Sequence, residues 1–317
     1  MIIVETLLLI IGLVMLVKCS DVFVDAASSL SIKLRVPKMM VALTIAAFGT
    51  CAPELAISFN SISSSVYDVT LANVIGSCII NILLIVGIAA IVKPIKIKDR
   101  VIKKELPLLV IITTAFFFLI SDSFFNFGAP NVLNRADAVM LICWFFVFIL
   151  YILRIVRKNK EDFQEEPKYS LKKSIFLIVI SLILIVLASD LVVESATIIA
   201  EYLGISHKII TMTVIVIGTS LPELTMTVIS AKKGEFDMAV GNIIGTNIFN
   251  MCIVLGLPIA IYGSVTSSSF SLIDTTVVLL AAVAFFIFGY SDRELSKKEG
   301  FLMILLFSVY YMYIFLT

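Results

Sequence analysis

The chain has 317 residues, of which 60% are hydrophobic, and its formal net charge at neutral pH is +1. Its mean hydropathy is +1.11, and water-soluble domains rarely exceed about 50% apolar residues. These values predict a polytopic membrane protein. The balanced charge gives no support for a nucleic-acid partner, and the five cysteines lack metal-binding or disulfide-framework spacing. We expect a monomer in the lipid bilayer, with no cofactor.

Ten apolar segments are long enough to cross, or nearly cross, a hydrocarbon core that requires about 20 helical residues. The first, at 2–19, lacks a basic flank and a cleavage site, which favours a membrane span over a removed signal peptide. The other nine lie at 39–62, 69–92, 106–121, 136–156, 174–193, 209–230, 237–262, 271–290 and 300–316. The sequence therefore predicts an all-α polytopic membrane protein with ten transmembrane helices.

The basic residues alternate between the two sides of this arrangement. Of the 24 Lys and Arg residues, 21 follow the first, third, fifth, seventh and ninth spans. The positive-inside rule then places these loops in the cytoplasm and both termini outside, in a plasma or inner membrane. The most polar loop, 157–173, contains Glu161, Asp162, Glu165 and Glu166. It is interpreted as a solvated tether between two halves, with a regulatory calcium site as the alternative.

A polar hexapeptide occurs twice inside apolar sequence. Residues 49–54 (GTCAPE) recur at 218–223 (GTSLPE), and the offset of 169 residues holds without gaps through the sequence that follows. Each half contains five spans, an odd number, so the second half must enter the membrane from the opposite side. This pattern predicts inverted repeats, which place a substrate near the midplane. The repeats are 1–156 and 174–317, the linker is 157–173, and the motif regions are 39–87 and 208–256.

Each hexapeptide places a carboxylate beside a helix breaker. A carboxylate in the hydrocarbon core costs about 2.5 kcal/mol or more, and usually marks function. Pro53 cannot donate a hydrogen bond to the Gly49 carbonyl, which predicts a break in the second span at 47–53 that frees carbonyl groups. Thr50 and Glu54 then share one helix face.

The same reasoning predicts a break in the seventh span, with Thr219 and Glu223 on one face. Two carboxylates, two hydroxyls and several carbonyls suit a hard cation that takes 6–8 oxygen ligands. Hard oxygen ligands favour Ca²⁺ over a transition metal.

The third and eighth spans carry matching polar stripes, with one polar residue every four positions: Asn73, Ser77 and Asn81, and Asn242, Thr246 and Asn250. These residues are either further ligands or contacts between helices. Gly76 and Gly245 lie on or near the same faces and favour close helix approach. Asp21 and Asp190 are interpreted as interface caps or helix contacts, and His207 as a solvated loop residue.

At these positions the chain resembles the sodium/calcium exchanger family of the calcium:cation antiporter superfamily. The resemblance lies in 49–54 with 73–81 and in 218–223 with 242–250, about a third of the chain. It implies ten helices, an outside N-terminus and a diamond-like cluster of four cation sites.

The resemblance also implies the ligands of each ion. Ca²⁺ would be held by Glu54, Glu223, Thr50 and Thr219. Na⁺ would be held on one side by the Ala47 carbonyl, Thr50, Cys51, Glu54 and Thr246. On the other side it would be held by the Val216 carbonyl, Thr219, Ser220, Glu223 and Ser77. Asn81 and Asn250 would line the centre, with Asn73 and Asn242 around them.

Two positions depart from the family pattern. Cys51 stands where the second repeat has Ser220, and a neutral thiol is a poor ligand for hard Na⁺, so the Na⁺ site at Ala47 is expected to be weak or altered. Asn250 stands where some relatives carry Asp, which argues against K⁺ co-transport.

The sequence therefore predicts a secondary antiporter that exchanges Ca²⁺ for Na⁺. The alternative is a Ca²⁺/H⁺ exchanger that uses the same two glutamates. An intramembrane hydrolase is disfavoured because HExxH, GxGD and GxSxG motifs are absent. A channel is a third possibility, distinguished by flux without a counter-ion.

Overall fold

Helices make up most of the chain in the computed structural model, which describes residues 2–125, 131–158, 163, 165–205, 214, 216–267 and 272–316. The first half contains α1 (Ile2–Leu34), α2 (Lys38–Val41), α3 (Ala47–Thr50), α4 (Ala52–Ser63), α5 (Tyr67–Ile79), α6 (Val86–Val92), α7 (Leu106–Ile120), α8 (Asp122–Phe125) and α9 (Arg135–Lys158). The second half contains α10 (Leu171–Tyr202), α11 (Val216–Thr219), α12 (Leu221–Lys233), α13 (Phe236–Phe249), α14 (Gly256–Tyr262), α15 (Leu272–Ser291) and α16 (Lys297–Leu316).

Short π-helical segments join or precede several of these helices: Ala42–Ala46, Ile80–Ile85, Val101–Glu105 and Asn250–Val254. Four short strands complete the described elements: β1 (Ile95–Lys96), β2 (Asn131–Leu133), β3 (Val265–Ser267) and β4 (Glu294–Leu295).

Six described helices are long and apolar enough to cross a membrane, or seven if the bent pair Lys38–Thr50 and Ala52–Ser63 is one span. The predicted fourth span contains α7, which is only 15 residues long, preceded by the π segment Val101–Glu105. The start of the predicted seventh span, at 209–213, lies outside the described residues. The count of ten spans therefore remains a prediction.

Helices α1 and α10 continue beyond residues 19 and 193, the predicted ends of the first and sixth spans. Helix α1 has 33 residues and α10 has 32, so each is about 50 Å long and exceeds a hydrocarbon core of about 30 Å. Polar residues inside each helix suggested an end, but no proline interrupts either one. The two long helices pack along each other. Because each is longer than the hydrocarbon core is thick, each must tilt or project beyond the core.

The third and eighth predicted spans form the centre of the protein. In the continuous segments Tyr67–Val92 and Phe236–Tyr262, 78% and 83% of the apolar window is buried, against 11% in α1. The polar stripes on these two segments therefore lie inside the protein and not against lipid.

Two strand pairs connect the halves of the chain. Antiparallel pairing joins β1 to β4, with Ile95 opposite Leu295, and joins β2 to β3, with Val132 opposite Thr266. In each pair one strand comes from the first half and one from the second, so loops of the two halves are fixed to each other.

Glycines on the polar stripes allow close contact between the halves. A Cβ atom added at Gly245 would lie 2.7 Å from the Leu43 carbonyl oxygen and 2.8 Å from the Ala47 Cβ. One added at Gly76 would lie 3.3 Å from Cγ1 of Val216. Helix α13 therefore packs on the segment before Cys51, and α5 packs on α11.

We expect Gly245→Ala to lower the stability of the protein by about 1–3 kcal/mol, because its methyl group would overlap backbone atoms that cannot move away. Gly76→Ala is the matched control, since its methyl group meets only a side-chain methyl of Val216. Thermal unfolding in detergent, followed by size-exclusion chromatography, measures both variants. Equal melting temperatures for the two variants would contradict the close approach at Gly245.

Candidate cation-binding site

Both hexapeptides interrupt a helix at the same position. Cys51 lies between α3 and α4 with φ −79° and ψ 2°, and the two parts of this span are bent by 46°. Ser220 lies between α11 and α12 with φ −90° and ψ 6°. Pro53 and Pro222 fall in the first turn of the following helix. There their missing N–H groups would have no helical partner in any case.

Two threonines donate to the carbonyl groups three residues earlier. Thr50 Oγ1 is 3.4 Å from the Ala47 carbonyl oxygen, and Thr219 Oγ1 is 3.1 Å from that of Val216. The Ala47 carbonyl also accepts a hydrogen bond from the Cys51 N–H at 3.1 Å. In this structure the Ala47 carbonyl therefore has two protein donors, Thr50 and Cys51. These bonds hold both threonine oxygens at fixed points beside the breaks.

A proline leaves one carbonyl group in each motif without its helical donor. In the second half, that carbonyl accepts a hydrogen bond from a side chain of another helix. Pro222 cannot donate to Gly218, and the Ser189 hydroxyl of α10 donates to the Gly218 carbonyl at 2.9 Å. The repeat-related Ser20 instead donates to Thr225 Oγ1 at 2.8 Å. The two breaks are thus similar in backbone form but are supported differently.

Two carboxylates lie at the centre of the protein. Glu54 and Glu223 are both 0% exposed, and none of their four oxygens has a hydrogen-bond partner of good geometry. They are close enough to interact electrostatically, and the Thr50 hydroxyl lies near the Glu223 carboxylate. No described Lys or Arg pairs with either carboxylate. The two halves therefore bring both predicted carboxylates into one buried region.

Neutral polar groups are buried in the same central segments. Side chains that are almost fully buried and have polar atoms without a hydrogen-bond partner include Ser77, Asn81, Ser220, Thr246 and Asn250. Asn81 lies in the π segment Ile80–Ile85 and Asn250 begins Asn250–Val254. Such π segments occur often at functional sites. An unpaired buried polar group costs about 1–3 kcal/mol, so this many of them favour a polar or charged occupant.

Each motif receives a neighbour from the other half. The Cys51 thiol lies 3.9 Å from the Thr246 carbonyl oxygen. Gly76, next to Ser77, faces Val216. The structure thus brings Thr246 to the first motif and Ser77 towards the second.

Asn73 and Asn242 bind the motif helices and not each other. Asn73 Nδ2 donates to the Glu54 backbone carbonyl at 3.1 Å, and Asn242 Nδ2 donates to Thr227 Oγ1 at 3.0 Å. Their position fits a supporting role around the centre.

Three buried polar residues were missed by the sequence analysis. Ser58 and Thr227 are repeat-related and lie four residues after Glu54 and Glu223, and both are buried. The spacing i, i+4 could have identified them, since it extends the row that begins at each threonine. Asn247 is also buried, and its side-chain oxygen has no hydrogen-bond partner.

The remaining predicted residues lie away from this centre. Asp21 makes a helix contact with Lys233 at 2.9 Å, so it is not a helix cap. Asp190 is exposed within α10. His207 and the linker residues Glu161 and Asp162 lie outside the described residues.

The donor set suits hard cations. Across the part of the chain that the structure describes, no three His, Cys, Asp or Glu side chains form a metal-binding group. The candidate site therefore depends on two carboxylates with hydroxyl, amide and carbonyl oxygens. Oxygen donors of this kind match Ca²⁺ and Na⁺ better than transition metals.

A mostly helical membrane fold with two unpaired carboxylates at its centre is typical of a polytopic cation transporter. Residues 4–154 and 173–316 match the family described as sodium/calcium exchanger protein. The putative antiporter CaxA of Alkalimonas amylolytica is 33% identical over 97% of both chains. The sodium/calcium exchanger MaX1 of Methanosarcina acetivorans is 31% identical over 99% of both chains.

Solved structures of the sodium-calcium exchanger NCX_Mj are similar over 98% of both chains, and one has a TM-score of 0.82 at 27% identity. The chain belongs to the sodium/calcium exchanger protein family, which confirms the resemblance of its two repeats. It is a multi-pass membrane protein of a class that exchanges calcium for other cations.

Proposed function

We propose that this protein is a Na⁺/Ca²⁺ antiporter that works by alternating access. The observation that carries the proposal is the burial of Glu54 and Glu223 together, without a cationic side chain among the described residues to balance them. Two negative charges balance one Ca²⁺ or two Na⁺. The relatives MaX1 and NCX_Mj are both named sodium/calcium exchangers, which supports Na⁺ as the counter-ion.

Ca²⁺ binds to Glu54, Glu223, Thr50 and Thr219 in this proposal. The two carboxylates supply charge, and the threonine hydroxyls are fixed by their bonds to Ala47 and Val216. Asn81 and Asn250 line the centre between the halves. Their amide oxygens suit a hard cation.

Na⁺ occupies positions on both sides of this centre. One set of ligands is Ala47, Thr50, Cys51, Glu54 and Thr246, and the other is Val216, Thr219, Ser220, Glu223 and Ser77. Two contacts support this division. Cys51 contacts Thr246, and both belong to the first set. Gly76 faces Val216 of the second set and is next to Ser77 of the same set.

Ten spans in two inverted repeats, 1–156 and 174–317, with both termini outside, form the proposed topology. The strand pairs support it: β1 and β4 both lie in loops assigned to the cytoplasm by their basic residues, and β2 and β3 both lie in outer loops. The ion pair between Lys98 and Asp237 likewise joins a loop assigned to the cytoplasm to the start of α13, which follows another such loop.

Exchange follows from the cost of moving unbalanced charge. Reorienting the site with two free carboxylates would leave uncompensated buried charges, which is strongly unfavourable. The protein therefore changes sides only when Ca²⁺ or Na⁺ neutralises the pair, and downhill Na⁺ entry drives Ca²⁺ export.

Ca²⁺ uptake into proteoliposomes distinguishes the counter-ions. With Na⁺ inside and none outside, we expect uptake that rises with the Na⁺ gradient and is unchanged by a proton gradient of the same size. Empty liposomes are the control. Uptake that follows the pH difference and ignores Na⁺ would establish the Ca²⁺/H⁺ alternative, which the thiol of Cys51 at a proposed Na⁺ position favours.

Glu54→Gln and Glu223→Gln should each reduce exchange to the level of empty liposomes, because one remaining charge cannot balance Ca²⁺. Both variants should elute as folded protein, since neither carboxylate has a hydrogen bond of good geometry to lose. Glu194→Gln is the matched control: its carboxylate lies exposed on the membrane helix α10. Near-normal exchange by both variants would refute the site.

Cys51→Ser should strengthen Na⁺ binding at the first set, because a hydroxyl oxygen is a harder ligand than a thiol. We expect the Na⁺ concentration for half-maximal exchange to fall about threefold or more. Ser220→Cys is the reciprocal variant and should raise it. An unchanged Na⁺ dependence in both variants would show that these positions do not contact Na⁺.

A further inference from the structure

We propose that Lys233 forms an ionic lock that holds α1 against α12 on the cytoplasmic side and has no equivalent on the outer side among the residues that the structure describes. The lock rests on the proposed function, because its role is to bias an alternating-access cycle. It assigns a positioning role to residues far from the candidate cation site.

The lock is a close contact between one lysine and two carboxylates. Lys233 Nζ lies 2.5 Å from Asp25 Oδ1 and 2.9 Å from Asp21 Oδ1, and it donates to the Asp21 backbone carbonyl at 2.9 Å. Asp21 and Asp25 are four residues apart and share one face of α1. The side chains of Asp25 and Lys233 are only 19% and 25% exposed, so solvent screens this pair less than a surface pair.

The linker contributes a second lysine to the same contact. Lys168 Nζ lies 2.5 Å from Asp25 Oδ2, so two lysines share this carboxylate. The bond to Asp25 raises the pKa of Lys168, which keeps that amine protonated.

A neighbouring cluster fixes the start of the second span. Lys38 Nζ lies 2.7 Å from Glu235 Oε1 and 2.9 Å from Glu165 Oε2. The hydroxyl of Ser28 donates to Glu235 at 3.1 Å. Helix α1, the end of α12 and the linker are therefore joined at one face.

The internal repeat shows that only one face has this lock. The offset of 169 residues relates Asp21 to Asp190 and Asp25 to Glu194, so acidic residues occur in both halves. The same offset relates Lys233 to Ser64, which has no charge.

The packing shows the same asymmetry. Helix α1 packs along α12, whereas α10 makes no comparable contact with α4 within the described ranges. Asp190 and Glu194 are exposed, and no described Lys or Arg pairs with them.

In the proposed cycle, opening the site to the cytoplasm separates α1 from α12 and breaks the contacts of Lys233. Opening to the outside breaks no ion pair of this kind in the described chain. The lock therefore keeps the cytoplasmic side closed until ion binding supplies the free energy to open it. Its removal should increase the population that is open to the cytoplasm.

Site-specific labelling tests the lock without measuring transport. Ser31 lies one helical turn after Ser28 on α1 and is buried. Its hydroxyl has no hydrogen-bond partner, so Ser31→Cys is a conservative reporter. In a Cys19→Ser and Cys143→Ser background, a membrane-impermeant maleimide is applied from the cytoplasmic side. We expect Lys233→Gln to label about fivefold faster or more than the parent.

Lys232→Gln is the matched control, because it removes the same charge from an exposed neighbour without an ion pair among the described residues. Lys233→Arg should retain the parent rate. Asp25→Asn should label faster, and the double variant with Lys233→Gln should label no faster than the quicker single variant. Monodisperse elution shows that each variant is folded.

Equal labelling of Lys233→Gln and Lys232→Gln would overturn the lock. Strictly additive effects of the Lys233 and Asp25 changes would also contradict it. Because labelling needs no ion flux, failure of Na⁺-driven exchange would refute the proposed function alone. Unchanged labelling alongside Na⁺-driven exchange would refute the lock alone.

Discussion

The central constraint on this structure is that two carboxylates are buried in the middle of a membrane protein. No described lysine or arginine lies beside them. In the described chain, the carboxylates of Glu54 and Glu223 have neither an ion pair nor a hydrogen bond of good geometry. A soluble protein would offset this cost with water or an arginine side chain. In a transporter, a cationic side chain of the protein would neutralise the carboxylates permanently. Leaving the charges to a mobile cation makes the stability of the centre depend on the ion it carries. That dependence is what a transporter requires.

The two halves complete each other at this centre. Helix α13 places Gly245 against Leu43 and Ala47 before the first break, and Gly76 faces Val216 before the second. Neither motif forms its surroundings alone, because some of the neighbouring groups, such as Thr246 beside Cys51, come from the opposite half. The broken helices are thus held by continuous, deeply buried segments, which keep irregular backbone away from lipid.

The sequence predicted the polar residues of the candidate site better than it predicted the lengths of the helices. The carboxylates and polar stripes were found because apolar surroundings make polar residues conspicuous. The extent of α1 was missed because Asp21 and Asp25 suggest a helix end. Their charges are balanced by Lys233, which lies more than 200 positions away, and no local pattern contains that partner. The π segments were also missed, because a sequence such as INILLI is equally suited to an α-helix. The hydrogen bonds of the Ala47 carbonyl depend on the exact geometry of the bend, which spacing alone does not give.

In the proposed mechanism, the carboxylates and threonines of the cation site are duplicated in the two halves, whereas the ion pairs at the periphery are not. A central site must release the same ion to either side, so its ligands gain from being duplicated, as Thr50 with Glu54 and Thr219 with Glu223 are. The periphery has no such requirement, because the two solutions differ in ion content. Lys233 has no charged counterpart at Ser64, and Ser189 and Ser20 have different acceptors. A duplicated ancestor with equal faces would favour neither orientation. A single lysine that binds two carboxylates on one face is enough to make the two closures unequal, without altering any residue that contacts the ion.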